Sequence, residues 1–95
     1  MPGKKQLEWS RRAETNLDAI FDYIAADNLA AAESVIVLLL KTAERLTDFP
    51  MMGHRGRRAG TREFVLAKFP YTLVYRLTSS KVCIVAVLHH ARQYP

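Results

Sequence analysis

Apolar positions in the first half of the chain recur at helical spacing. Ala13, Leu17, Ile20, Phe21 and Ile24 share one side of a helix whose other side carries Glu14, Asp18 and Asp22. Ser10 stands just ahead of this stretch and can accept a free amide of the first turn, so the helix is predicted to begin there. Asp27-Asn28 breaks the pattern and offers a cap for a second helix, with Ala32, Val35, Ile36, Leu39, Leu40, Ala43 and Leu46 on its apolar side. Pro50 disfavours helical backbone at Phe49 and ends that helix. So short a connection makes the two helices antiparallel neighbours, a helical hairpin.

Val37 and Leu38 break the amphipathic rule. With their neighbours they make Val35–Leu40 an unbroken apolar stretch, more than one helix face can hide against a single sheet. Two readings stand side by side: tight packing on both sides of the helix, or an exposed strip that awaits a partner chain or a second copy.

The second half changes period. Residues 51–60 (MMGHRGRRAG) have no periodicity and read as a glycine-containing loop. Three strands are predicted after it: Thr61–Ala67, then Tyr71–Leu77 beyond a turn through Pro70, then Lys81–His89 beyond a Ser79-Ser80 turn. The apolar run Val82–Leu88 suits a central strand buried on both faces. A short strand around Gln6–Trp9 is expected to join the sheet. The predicted fold class is α+β: one domain over 1–95, with a helical hairpin packed over one face of a small, mostly antiparallel sheet.

Composition narrows the class of protein. Of 95 residues 49% are hydrophobic, with four Gly and four Pro, which indicates a globular chain rather than a disordered one. No apolar run approaches the roughly 20 residues that span a bilayer. The first nine residues have a basic start but no apolar core of a secretory signal, and a cytoplasmic location fits. Cys83 is the single cysteine and reads as a small core residue.

Charge is unevenly placed. Residues 1–48 are net −2, while residues 49–95 carry eight Lys and Arg against Glu63 alone and are net +7. This asymmetry points to a face built for an anionic partner. Nucleotide-binding glycine loops are absent. The three histidines and one cysteine lack metal-ligand spacing, and no carboxylate pair stands out, so neither a metal nor a cofactor is expected. His54, Arg55, Arg57, Arg58 and Arg62 form one basic cluster, where Arg suits phosphate or carboxylate recognition. His89, His90, Arg92, Gln93 and Tyr94 form another, directly after the last strand, and Arg76 on the neighbouring strand can face the same area.

The strings WSRRAETNLDAIFDYIAADN, FPMMGHRGRRAGTREFVLAKFPYTLVYRL and VLHHARQYP, in this order and at this length, resemble the RelE/ParE toxin superfamily of type II toxin–antitoxin systems. The resemblance covers nearly the whole chain. It implies a small bacterial cytoplasmic toxin that inhibits growth, contributes to plasmid stabilisation and is neutralised by a cognate antitoxin wrapping it. Val37 and Leu38 would then be antitoxin-binding. RelE-like members cleave mRNA in the ribosomal A site without metal; ParE-like members poison DNA gyrase and are not nucleases. By this resemblance, nuclease members carry Arg where this chain has Thr72, and basic residues at the positions of Glu63 and Val65. Arg92 matches, and His90 sits where some ribosome-dependent members place a catalytic histidine. The ending VLHHAR looks more like the ParE type. The resemblance therefore favours a gyrase inhibitor whose target contacts include Arg55, Arg57, Arg58, Arg62, Arg76, His89 and Tyr94. The alternatives are a ribosome-dependent endoribonuclease with Arg92 and His90 as catalytic residues, and a non-catalytic nucleic-acid or protein-binding module. In no case is a membrane partner implied.

Overall fold

The computed structural model describes residues 4–90. Along the chain run β1 (Gln6–Trp9), α1 (Arg11–Ala25), α2 (Leu29–Asp48), β2 (His54–Arg55), β3 (Arg62–Val65), β4 (Tyr71–Leu77) and β5 (Lys81–His89). The strands make one sheet in the order β1-β5-β4-β3-β2, with β1 parallel to β5 and every other pair antiparallel. The α+β architecture expected from the sequence is the one observed.

The helices begin where polar caps allow. Ser10 Oγ accepts the Ala13 amide at 3.0 Å and Asn28 Oδ1 accepts that of Ala31 at 3.0 Å. The side chains along α1 and α2 then sort by the 3.6 period. Ala13 and Ile20 from α1, with Val35, Leu39, Ala43 and Leu46 from α2, meet Leu73, Tyr75, Val82, Ile84 and Val87 of the sheet in one core. Cross-strand partners share a face, so Leu73 opposite Val87 and Tyr75 opposite Ile84 define the helix-covered side.

Between Val74↔Ala86 and Tyr75↔Ile84 the register shifts, leaving Val85 as an extra residue on β5. Helix α1 is fastened beside this bulge. Ser10 Oγ donates to the Val85 carbonyl at 2.9 Å, the Ser10 amide donates to the Ile84 carbonyl at 2.9 Å, and the Val87 amide donates to Asn16 Oδ1 at 2.9 Å. These bonds set where the first turn of α1 lies relative to the sheet.

Four sequence-based expectations need correction. The segment 51–60 is not wholly loop, because His54 and Arg55 pair with Glu63 and Arg62 as a two-residue edge strand. Strand β3 ends at Val65, short of the predicted Ala67, since Leu66 turns to bond Tyr71 through its amide. The β5 run is not buried on both faces: Cys83, Val85 and Leu88 are half-buried because no layer covers that side, and the middle position belongs to β4. For the same reason Cys83 lies on the open face rather than in the core. The Val35–Leu40 stretch divides between its two readings. Val35 and Leu39 are buried, Ile36 and Leu38 pack partly against the core, and Val37 and Leu40 are exposed.

Candidate anion-binding cleft on the open sheet face

The uncovered face of the sheet carries the polar residues that alternate with the core. Glu63 and Val65 come from β3, Thr72, Val74 and Arg76 from β4, and Cys83, Ala86 and Leu88 from β5. Arg57 and Arg58 reach over this face from the loop before β3, Arg12 from the first turn of α1, and His90 from just beyond β5. Together they line a concavity of about 440 Å³ whose floor sets Val74, Ala86 and Leu88 beside the polar Glu63 and Thr72.

Its arginine loop is closed by short bonds. The Gly56 amide donates to the Thr61 carbonyl at 2.8 Å, and the Thr61 amide and hydroxyl both donate to the Arg58 carbonyl at 3.2 and 2.7 Å. Gly60, at φ +79°, lets the chain turn against the Arg76 guanidinium, and a Cβ there would lie 3.0 Å from Arg76 Nη1. At the floor, Glu63 Oε2 accepts the Arg57 backbone amide at 3.2 Å and its Nε at 3.4 Å.

Adjacent residues on a strand face opposite ways, and the two histidines follow that rule. His89 makes an edge-to-face contact with Tyr71, centroids 5.1 Å apart, on the helix side. His90 is on the cleft side: its amide donates to the Pro70 carbonyl at 2.9 Å, and its Nε2 lies 2.8 Å from Thr72 Oγ1. The Thr72 hydroxyl thus orients the ring.

The sequence-derived candidates do not all converge. Arg57, Arg58, Arg76, His89 and His90 line the cleft, His89 with its ring against Tyr71. Arg62 turns to the other face, where its Nη2 donates to the carbonyls of Met51 and Gly53, and Arg55 is its cross-strand partner. Tyr75 completes this clamp on the turn before β2: its buried hydroxyl donates to the Pro50 carbonyl at 2.8 Å and accepts the Gly53 amide at 3.0 Å. Arg92 and Tyr94 lie outside the described residues. Arg12, Thr72 and Glu63 are cleft residues that sequence reasoning did not single out as such. A signal existed for Arg12, since the one-residue link from β1 to α1 forces the first helical turn to the sheet.

Beside the cleft, burial and the nearby Glu8 carboxylate push the Cys83 thiol above its ordinary range, with Arg76 and Lys81 acting the other way. Lys81 is raised in turn by its hydrogen bond to Glu8, 3.0 Å away. Among the described residues no group of three or more His, Cys, Asp or Glu can hold a metal ion, and no helix is long and apolar enough to cross a membrane. On the helical layer, Val37 and Leu38 line a separate groove of about 530 Å³ with Phe69, Lys41 and Lys68.

Comparison with known proteins adds a lineage to this geometry. Residues 7–94 match the model of the ParE toxin of type II toxin–antitoxin system, parDE. The chain is 38% identical over 92 residues to putative toxin Y4kP of Sinorhizobium fredii, covering 97% of this chain and 95% of that one. It is 36% identical over 87 residues to toxin RelE2 of Caulobacter vibrioides, covering 92% and 97%. The solved structure of a chromosomal ParDE system from P. aeruginosa superposes with a TM-score of 0.80 at 21% identity, covering 90% of this chain and 96% of that one, a likeness of fold.

Proposed function

Because this chain belongs to the ParE toxin family of type II toxin–antitoxin systems, we propose that it arrests growth by inhibiting DNA gyrase through a protein interface on the open sheet face. One observation carries the reading: the cleft concentrates guanidinium groups without a free acid–base pair. Cleaving RNA by 2′-hydroxyl attack needs one group to take a proton, another to supply one, and charge to stabilise the transition state. Among the described residues the cleft offers His89, whose ring packs edge-on against Tyr71, His90, whose Nε2 is already engaged by Thr72, and Glu63, which is held by Arg57. Guanidinium groups set around Val74, Ala86 and Leu88 suit instead the acidic and apolar side chains of a protein surface.

A ribonuclease reading has its own support. Arg12, Arg57, Arg58, Arg76 and His90 share one concave face, and one relative bears the name toxin RelE2. On that reading His90 and Arg92 act at the scissile phosphate of ribosome-bound mRNA. In both cases a cognate antitoxin neutralises the toxin, and Val37 and Leu38 are its apolar contacts on α2.

Purified protein added to a gyrase supercoiling reaction, and separately to programmed ribosomes with primer-extension mapping, decides between them. Inhibited supercoiling with intact message is the expected result. Cleaved message with untouched supercoiling overturns the proposal.

A further inference from the structure

The cleft is rimmed by cations, yet its floor holds a carboxylate. Glu63 is 8% exposed and lies on the open face opposite Val74, with His54 as its partner across β2. A carboxylate so withdrawn from water needs compensation. It comes from the loop above, whose Arg57 brings a backbone amide and a guanidinium N–H to the same Oε2 at 3.2 and 3.4 Å. Amide and guanidinium converging on one oxygen is the way a loop grips a bound anion. Here the anion belongs to the chain itself.

We propose that Glu63 is the specificity-determining residue of the cleft: a built-in carboxylate that occupies the anion position of the arginine loop and turns phosphodiester backbones away. Arg12, Arg58 and Arg76 are left to meet the spaced carboxylates of a protein partner. The discrimination is geometric. A nucleic-acid strand carries a charge at every nucleotide, one for each roughly 3.4 Å of duplex axis. Any strand laid along the cleft therefore sets a phosphate near Glu63. A protein surface can place an apolar or hydrogen-bond-donating group there and its acids elsewhere. Glu63 also positions the loop, since the backbone amide of Arg57 is one of its two donors. The inference rests on the reading of this cleft as a protein-contact face.

The test is the affinity of the purified full chain for a fluorescein-labelled single-stranded RNA of about 12 nucleotides, followed by anisotropy from about 50 to about 300 mM KCl. Glu63→Gln keeps an oxygen for the Arg57 amide and removes the charge. It should bind about tenfold more tightly than the parent at the low-salt end. Its plot of log affinity against log salt should be steeper by about 0.7, the release of one more counterion from a single strand. Glu63→Ala, which leaves no new group to bury, should show the same gain and faster tryptic cleavage after Arg57 and Arg58. RNA affinity and salt slope unchanged in both variants overturn the charge role; unchanged cleavage in Glu63→Ala overturns the positioning role. The parent's effect on supercoiling is scored separately. A parent that leaves gyrase untouched while Glu63→Gln gains RNA refutes the gyrase reading and sustains the Glu63 inference.

Discussion

Removing one oxygen from Tyr75 should loosen the turn that delivers the arginine loop. Tyr75 is fully buried, and its hydroxyl joins two backbone groups of that turn, donating to Pro50 and accepting from Gly53. Gly53 is required there because a Cβ would lie 2.6 Å from the hydroxyl and 2.7 Å from the Glu63 carbonyl. In Tyr75→Phe the ring still fills its place in the core, so packing is retained and the change isolates the hydrogen bonds. The buried Gly53 amide then has no acceptor, a loss of about 1–3 kcal/mol. Pro50 is only half-buried, and water can reach its carbonyl more readily. The expected total is about 2 kcal/mol, or about 10 °C in melting temperature for a chain of this size. Urea denaturation should show a lower midpoint with an unchanged slope, because the surface exposed on unfolding is the same. Amide exchange at Gly53 should accelerate more than exchange in β4. A loss below about 0.5 kcal/mol with Gly53 still protected would mean that the hydroxyl is not what holds the turn.

Other residues give sharper local readouts. Ser10→Ala removes both the cap of α1 and the bond to Val85, and should cost about 1–2 kcal/mol in urea denaturation; a smaller loss than that of Asn28→Ala would contradict its double role. Val37→Asp, at an exposed position, should leave the melting temperature within a few degrees yet reduce co-purification with the product of the neighbouring reading frame; full recovery of the complex would remove Val37 from the antitoxin surface. The Cys83 thiol is raised above its ordinary value of 9.0, so the folded chain keeps this proton to higher pH than the unfolded one. Its contribution to stability is complete below the unfolded value and is lost as pH rises through the folded one. Cys83→Ser should therefore flatten the fall in urea midpoint above about pH 9, and parallel pH trends for the two proteins would refute the assignment.

Much of the fold was legible in residue order because it rests on local rules. Ser10 and Asn28 mark helix starts by their capping chemistry, Pro50 marks a stop, and the bounds of β4 and β5 coincide with those predicted from β-branched and aromatic runs. The two-residue β2 has no period to detect. The faces of β5 were hidden for a different reason. Every residue from Val82 to Leu88 is apolar, so alternation carries no sign of which side lies open, and the extra residue at Val85 shifts the phase partway along. The cleft was legible only as charge excess. It is assembled from positions 12, 57, 58, 76 and 90, which no sequence window contains together. Glu63 stood out as an acid in a basic half, but its role depends on an amide donated from six residues earlier by a loop whose course no periodic pattern reveals.

The two surfaces available to partners constrain how neutralisation can work. The groove at Val37 and Leu38 belongs to the helical layer, whereas the arginine cleft opens on the opposite face of the sheet. The molecule measures 45 × 27 × 24 Å, so a chain that touches both must pass round a sheet edge across its thickness. At about 3.3 Å per extended residue that passage takes at least seven or eight residues. An antitoxin helix seated on α2 alone leaves the guanidinium groups of the cleft uncovered. Direct blockade of the cleft therefore demands an apolar helix continued by an extended segment, acidic where it meets Arg12, Arg58 and Arg76. An antitoxin without such a segment has to prevent target contact by its own bulk. The Arg57–Glu63 pair bears on the first route: with Arg57 already neutralised from within, the acids of the blocking segment are needed at the other three arginines.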